Sequence, residues 1–427
     1  MITAIVAVCI ALAVASYLKC GRFVNPVSAL SVWWCGWLIV ANVSPTGIYE
    51  PSGYTQFLYL LMLGSMTVGA LYSRPFTAKN PELENWYVLH KWRWIVLLII
   101  PVSIVVGLLF HKAYTSYLTD LSEITRSAIF GSESELFPSL HFYLLYTSIT
   151  RPVLLSGSIA GITFFILYKK YKILVISILI FAADSIMMLG RKDMYSIVIL
   201  FGFSLFVVTS KNKKGYIRKA RKYGLIIALL LVSIVFTVTA WRLGGGLEIS
   251  RVVNRYVVQY HTGGFTIFDQ ELHDQDSRLN RHLTFGRASL GTIEKGSVVL
   301  FFRKIDAGVR SVVNDNGSYL LEYRDIGPGI TMNAFGTIMY SMYMDGREVA
   351  IVLFSALFGY FLMGHYLAWR KQRRAHSLMM CVLFGYVGFM GLFNSPLSGP
   401  HFWGSLLLFA VVNRLRLKIP TLHGKIY

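Results

Sequence analysis

WRLGGGLEISRVVNRYVVQYHTGG (241–264), FDQELHDQDSRLNRHLTFGR (268–287) and NDNGSYLLEYRDIGPGITMNAFGTIMYSMYMDGR (314–347) belong to one polar interruption between two blocks of hydrophobic segments. A connection of that length without structure of its own is uncommon, which predicts a functional loop carrying short helices. Around it the 427 residues are dominated by apolar runs: 55% of the chain is hydrophobic, 15% is charged, and mean hydropathy is +0.55. Soluble domains do not have that composition, so the chain is expected to be an all-α polytopic integral membrane protein.

Runs long enough to cross a bilayer, about 17 to 25 residues each, occur at 2–18, 27–43, 54–72, 94–110, 152–168, 173–189, 194–210, 224–241, 348–369, 377–393 and 400–413. They predict eleven helices: eight in an N-terminal membrane block (1–241), then an extracytoplasmic loop (242–346), then three in a C-terminal block (347–427). Two further apolar stretches, 139–149 and 331–344, are short. A full span at 331–344 would reverse the side of RKQRR (370–374), so a re-entrant or interfacial helix is expected there.

The Lys/Arg-rich connections are KCGR (19–22), 73–93, KKYK (169–172), KNKKGYIRKARK (211–222), RKQRR and the tail from Asn413. Positive-inside topology places all of them in the cytoplasm, with an extracytoplasmic N-terminus and a cytoplasmic C-terminus, as an odd helix count also demands. The same bias accounts for the net charge of +20 without nucleic acid. The first run is followed by Lys19 and Arg22 rather than a small-residue cleavage site, which predicts a retained helix. Cys9, Cys20, Cys35 and Cys381 lie in or beside apolar runs and outline neither a disulfide framework nor a metal site.

Between Arg242 and Asp345 there are nine arginines and two lysines against eleven acidic residues. The loop is neutral yet rich in guanidinium, the side chain suited to holding phosphate or carboxylate oxygens in a planar fork. In ISRVVNRYVVQY (249–260), Arg251, Arg255 and Gln259 share one helical face. Like charges four residues apart repel, so an anion partner or nearby acids such as Asp269 and Glu271 are expected. His261, before Thr262-Gly263-Gly264, is expected at a helix end, as a dipole cap or an acid/base. Arg278, Arg281, Arg287, His273 and His282 form a second cluster. Its Asp274-x-Asp276 either holds a divalent metal or pairs with the arginines.

Gly190-Arg191-Lys192 is a turn on the extracytoplasmic side, where cations mark function unless they snorkel to lipid phosphate. Asn333, Tyr340, Asp345 and Arg347 line the return to the membrane, approached through Gly327-Pro328-Gly329; Asp345 and Arg347 also suit an ion pair at a helix start. Trp33, Trp34, Trp37, Trp86, Trp92, Trp94, Trp369 and Trp403 suit an aromatic belt, and His401 a structural place. No Walker loop, Cys-based zinc motif or G-x-S-x-G elbow appears, which argues against ATP-driven transport and serine-hydrolase chemistry. No metal or cofactor is predicted.

Asn25-Pro26 followed by Trp33 and Trp34, the Gly190-Arg191-Lys192 turn, and a large extracytoplasmic loop in the second half together resemble the Wzy-type O-antigen and capsule polymerases, the bacterial oligosaccharide repeat-unit polymerases. Asn333, Phe335, Thr337, Tyr343, Asp345 and Gly346 match that family's re-entry motif loosely, with Asp-Gly-Arg where the family often has Asp-Phe-Gly. The resemblance implies a GT-C-like enzyme of the inner membrane. It would transfer a glycan from undecaprenyl pyrophosphate to a hydroxyl of a second lipid-linked repeat unit, by inversion and without metal. The partners implied are that lipid-linked oligosaccharide as donor and acceptor, membrane lipids and a chain-length regulator protein.

Such chemistry needs cations at the leaving pyrophosphate, for which Arg191, Lys192, Arg251, Arg255, Arg278, Arg281, Arg287 and Arg347 are candidates, with Asn333 and Tyr340 beside the glycan. It also needs a base near the acceptor hydroxyl: His261, Glu271, His282 or Asp345. An O-antigen ligase would use the same donor. A lipid-linked oligosaccharide flippase would show internal repeats and charges along its spanning helices, and a scaffold protein would carry its arginines as surface pairs.

Overall fold

The computed structural model describes residues 2–79, 98–115, 136–137, 139–188, 192–208, 229, 233, 249–301, 311–320, 322–333 and 336–414. Among the described residues the protein is mostly helical, 79%. In the first block α1 (Ile2–Cys20), α2 (Pro26–Val43) and α3 (Gly53–Tyr72) are followed by α4 (Leu98–Ala113), α5 (Phe142–Tyr168), α6 (Lys172–Met187) and α7 (Lys192–Val208). The expected run at 224–241 lies almost wholly outside the described residues. The loop holds α8 (Ile249–Val253), a π-helical turn (Asn254–Gln259), α9 (Tyr260–His273), α10 (Arg278–Arg281), α11 (Gly291–Leu300) and α12 (Val312–Leu320), then strands β1 (Arg324–Gly327) and β2 (Ile330–Met332). The chain closes with α13 (Ile338–Gln372), α14 (Ala375–Met390) and α15 (Pro400–Arg414). Among the described residues, α1, α2, α3, α5 and α13 are long and apolar enough to cross a membrane, and α4, α7, α14 and α15 contain shorter apolar helices.

The Asn25-Pro26 pair has a local physical cause. Asn25 caps α2, its side-chain oxygen accepting from the Val27 and Ser28 amides at 3.0 Å each, while the Ser28 hydroxyl accepts from the Asn25 amide at 3.2 Å. This is a capping box with proline in the first turn, where its missing N–H costs nothing. The Asn25 amide nitrogen also donates to the Ser16 hydroxyl at 3.0 Å, tying α1 to α2.

The closest helix packing joins α3 to the second half of α13. Ser65 and Gly69 on α3 face Ser355 and Gly359 on α13, each pair four residues apart and all buried. A Cβ on Gly69 would collide with the Ala356 carbonyl oxygen, and one on Gly359 with that of Met66. Small residues at this spacing let two backbones touch, which drives helix association where lipid removes the hydrophobic incentive.

The short helix expected at 331–344 is present over 338–345, as the first part of α13. Non-helical backbone at Gly346 and Arg347 separates it from the long second part. Residues 331 and 332 are strand instead: Pro328 and Gly329 (φ 68) turn the chain so that Arg324 pairs with Met332 and Asp325 with Thr331. Proline followed by a positive-φ glycine is the chemistry of a tight turn, so this small hairpin qualifies the all-α expectation. Gly327 packs on the backbone of Gly47, and the Tyr49 amide donates to the Ile326 carbonyl at 2.8 Å.

The aromatic-belt expectation fails for two tryptophans. Trp34 and Trp369 are core residues, Trp34 stacking on Tyr59 at 5.7 Å and donating to the Gly388 carbonyl at 3.0 Å. Trp86, Trp92 and Trp94 lie outside the described residues. The connections segregate to opposite ends of the bundle. At one end Arg370 donates to the Cys20 carbonyl, and the Ala78 amide to Gln372 at 2.8 Å. At the other, the polar loop meets the 44–52 connection, the start of α7, and the 394–400 connection, as when Thr292 donates to Ser398 at 2.9 Å.

Candidate functional site

His261 was expected at a helix end, but α9 runs from Tyr260 through Gly263 and Gly264 to His273. The correction has a packing cause: a Cβ on Gly263 would lie 2.6 Å from the Met332 sulfur and 3.2 Å from Ile326, so that glycine admits the hairpin rather than ending the helix. His261 is therefore no C-terminal cap. Its Nδ1 faces the Val257 carbonyl at 2.5 Å and its Nε2 the Tyr195 hydroxyl at 2.7 Å. A carbonyl only accepts, so Nδ1 carries the hydrogen and Nε2 accepts from tyrosine. The ring stacks on Trp37 at 4.0 Å and meets Trp33 and Phe393 edge-on.

Burial pulls the His261 imidazole down from 6.5 to about 4. The unfolded ring takes up its proton near 6.5 while the folded ring resists until about 4. The stabilisation is therefore complete above pH 6.5 and is lost as pH falls to 4, a total of about 3 kcal/mol. Unfolding midpoints in detergent across that range should show His261→Gln losing this part of the slope. Equal slopes for both proteins would contradict the buried, neutral ring.

Glu271, also on α9, is 1% exposed and forms an ion pair with Arg324 of β1. The Tyr319 hydroxyl lies 3.2 Å from both of its carboxylate oxygens. Two guanidiniums lie near the Tyr319 ring, Arg324 at 4.4 Å and Arg278 at 5.6 Å from its centroid. Tyr340, in the short helix, is buried beside this group. Sequence reading missed Arg324; its place two residues before buried Ile326, on the same face of a strand with exposed Asp325 between them, was the available signal, hidden because no strand was expected.

Asp345 is 4% exposed. One carboxylate oxygen accepts from the Thr284 hydroxyl at 2.5 Å and the Ala288 amide at 2.9 Å, the other from the Ser289 amide at 2.8 Å. This pins the 282–290 segment to the end of the short helix. Arg347 donates to the Leu279 and Asn280 carbonyls, the latter at 2.7 Å, and lies 4.9 Å over the Tyr343 ring. The two residues fasten different parts of the loop instead of pairing with each other.

The second cluster forms an exposed edge. Arg281 pairs with Asp276 at 2.6 Å, Arg287 with Glu294 at 2.8 Å and Arg278 with Asp315 at 4.0 Å. Asp274 accepts from the Asp276 amide at 2.9 Å, closing a turn. With Asp276 committed to Arg281, the arginine-partner alternative describes the D-x-D, and no group of three metal-ligating side chains gathers among the described residues. His282 and Arg255 are exposed, and so are Leu283 and Phe285, the latter 81%. Asn333 is half-buried after β2.

Arg191 lies outside the described residues, as do the side chains of Lys192 and Arg251, whose backbones begin α7 and continue α8. Between the helices of the two blocks the structure gathers a group that the sequence reading overlooked. Arg151 pairs with Asp184 at 3.3 Å, and Ser196, Tyr386 and His401 line the same pocket between α5, α6, α7, α14 and α15. Asp184 is 1% exposed. An acid inside the apolar run 173–189 was the visible signal, since buried charge in such a run is costly without a partner. Comparison with protein-family models, curated proteins and solved structures finds no match.

Proposed function

We propose that this protein is a membrane glycosyltransferase that polymerises lipid-pyrophosphate-linked oligosaccharide repeat units, as the family resemblance implies. Eleven spans in a GT-C-like arrangement would place the N-terminus and the 242–346 loop outside the bacterial cytoplasmic membrane and the C-terminus inside. The observation that carries the reading is the edge at 278–287, where exposed Arg281, His282 and Arg287 alternate with exposed Leu283 and Phe285. A polyprenyl pyrophosphate presents that combination of a doubly anionic head on an apolar chain.

The Arg278–Asp315 and Arg281–Asp276 pairs are open to solvent and contribute little, so those two arginines can exchange their partners for phosphate oxygens at small cost, and Glu294 keeps the Ser311 hydroxyl and the Val312 amide when exposed Arg287 turns to phosphate. Arg347 and Arg324 are held by carbonyls and by Glu271 and serve the scaffold instead. Among the four base candidates, His261 has both nitrogens engaged, Glu271 its arginine and Asp345 three donors. His282 is the exposed one. In the proposed step the acceptor hydroxyl oxygen attacks the anomeric carbon and its proton passes to His282. The carbon–oxygen bond to pyrophosphate breaks with inversion, and the arginines take up the charge on the leaving group.

Purified protein given an undecaprenyl-pyrophosphate-linked repeat unit should produce a ladder of longer glycans, unchanged by EDTA. Arg281→Lys and Arg287→Lys keep the charge but lose the fork and should each slow extension about tenfold or more. His282→Ala should slow it on the order of 10²–10⁴-fold. A single addition to a core-sugar acceptor, with no ladder, would mean a ligase; no transfer at all would remove the glycosyltransferase reading.

A further inference from the structure

The segment from Leu283 to Ile293 crosses the head of α13 with its polarity reversed. Its inward side is small and polar: Thr284, Ala288 and Ser289 are buried and donate to Asp345, and Thr292 donates to the Ser398 carbonyl at 2.9 Å. Its outward side is apolar. Leu283, Phe285, Leu290 and Ile293 are all exposed, Phe285 by 81%. Single exposed hydrophobics are ordinary on a soluble surface, but a segment that turns its polar atoms inward and four large apolar side chains outward is not. Leu290 lies beside the turn, its Cδ1 3.8 Å from where a Cβ on Gly286 would stand, and Ile293 follows three residues later, so the ridge runs on from the turn into α11.

The backbone at the turn points the same way. Phe285 has φ 49 and Gly286 φ 89, the left-handed region that bulky side chains rarely adopt and that glycine or asparagine fills readily. A strained phenylalanine left in water is unfavourable twice over, and apolar surroundings remove the second cost. We propose that this ridge inserts among the acyl chains of the leaflet on the polar loop's side, with Arg281 and Arg287 at the level of the lipid phosphates. The contact stands apart from glycosyl transfer, since it concerns where the edge sits and not what passes over it.

Position and charge both favour lipid as the occupant. The Thr284 and Phe285 amides donate to the Met344 and Asp345 carbonyls at 3.0 and 3.2 Å, which fastens the ridge beside the bend in α13. About one turn beyond, Val349, Val352, Leu353 and Leu357 open the outward face of that helix, exposed at the spacing of a single stripe on an element long and apolar enough to cross a membrane. The ridge therefore stands at the level where that apolar surface begins. Arg281 and Arg287, both exposed, flank it, and guanidiniums bordering large apolar side chains suit a segment lying in the headgroup layer. A second copy of the chain packed on the ridge would have to desolvate those ion pairs at its flanks, a cost that the wet headgroup layer does not impose.

The test uses the full-length protein in nanodiscs of phosphatidylcholine and phosphatidylglycerol. The photoreactive residue p-benzoylphenylalanine takes the place of Phe285, of Ile293 or, as a control, of Tyr323, an exposed aromatic of the same loop that lies beside exposed Glu322. All three side chains are open, so the probe disturbs no packed core, and the second ridge position serves if one variant folds poorly. After irradiation, mass spectrometry should find phospholipid adducts at 285 and 293 about tenfold or more above those at 323. Adduct yields at the ridge comparable to those at 323 would overturn the contact. So would products in which the ridge is joined chiefly to a second copy, or chiefly to another segment of the same chain, because protein and not lipid would then cover it.

Discussion

Gly359→Leu is expected to prevent assembly of the α3–α13 pair and with it the stable fold. Even a single methyl at this position would strike the Met66 carbonyl oxygen, a backbone atom that cannot rotate aside. Ordinary overpacking costs about 1–3 kcal/mol because side chains yield. Here helices must separate, so the loss exceeds that range and takes up a large share of the roughly 5–15 kcal/mol that holds a typical domain together. The contact also seats Trp369, Tyr366 and Tyr59, among the largest fully buried side chains. Size-exclusion profiles and melting curves in detergent measure the effect. Gly359→Ala should lie between the wild type and the leucine variant, and a leucine variant melting within a few degrees of wild type would refute backbone contact between these helices.

Glu271→Ala should be the most damaging change in the loop. It leaves the half-buried Arg324 guanidinium without its carboxylate and removes the acceptor of the Tyr319 hydroxyl. Breaking one side of a fully buried ion pair costs about 3–5 kcal/mol, because the surviving charge keeps its desolvation penalty, and with Arg324 partly open to solvent the loss should fall at or below the lower end of that range. The paired replacement Glu271→Gln with Arg324→Met removes both charges and should recover much of the lost stability, since a buried pair often contributes little beyond what an apolar pair would. Protease resistance of the 249–333 region and the melting temperature report on this. If the double variant is as unstable as Glu271→Ala, the pair is not the organising interaction. If Glu271→Ala melts normally yet loses glycan extension, Glu271 belongs to the chemistry and not to the scaffold.

Composition and run length were sufficient to anticipate a mostly helical chain whose long apolar helices are interrupted by one polar loop, because apolar length is a one-dimensional property. The short helix before Asp345 was legible in part, from the apolar stretch at 331–344, of which 338–344 are helical and 331–332 are strand. What escaped were features that depend on a partner distant in sequence. Gly263 and Gly264 resemble a helix stop until Met332 and Ile326 are seen against Gly263. Asp345 resembles a general base until Thr284, Ala288 and Ser289 are seen donating to its oxygens. The Ser65/Gly69 and Ser355/Gly359 spacings are visible in the sequence, but only their meeting gives them meaning.

At Arg347 the backbone and the side chain answer to different parts of the molecule. The backbone, at φ 56 and ψ −142, occupies territory suited to glycine and carries a strain on the order of 1–3 kcal/mol. The guanidinium, bonded to the Leu279 and Asn280 carbonyls, helps hold it there. Residues 278–281 cannot lift away without breaking those bonds, and once they are broken nothing in α10 opposes relaxation of the bend. The polar loop and α13 are thus joined like a cocked spring and its catch: displacing the arginine-bearing edge lowers the cost of straightening the helix beneath it.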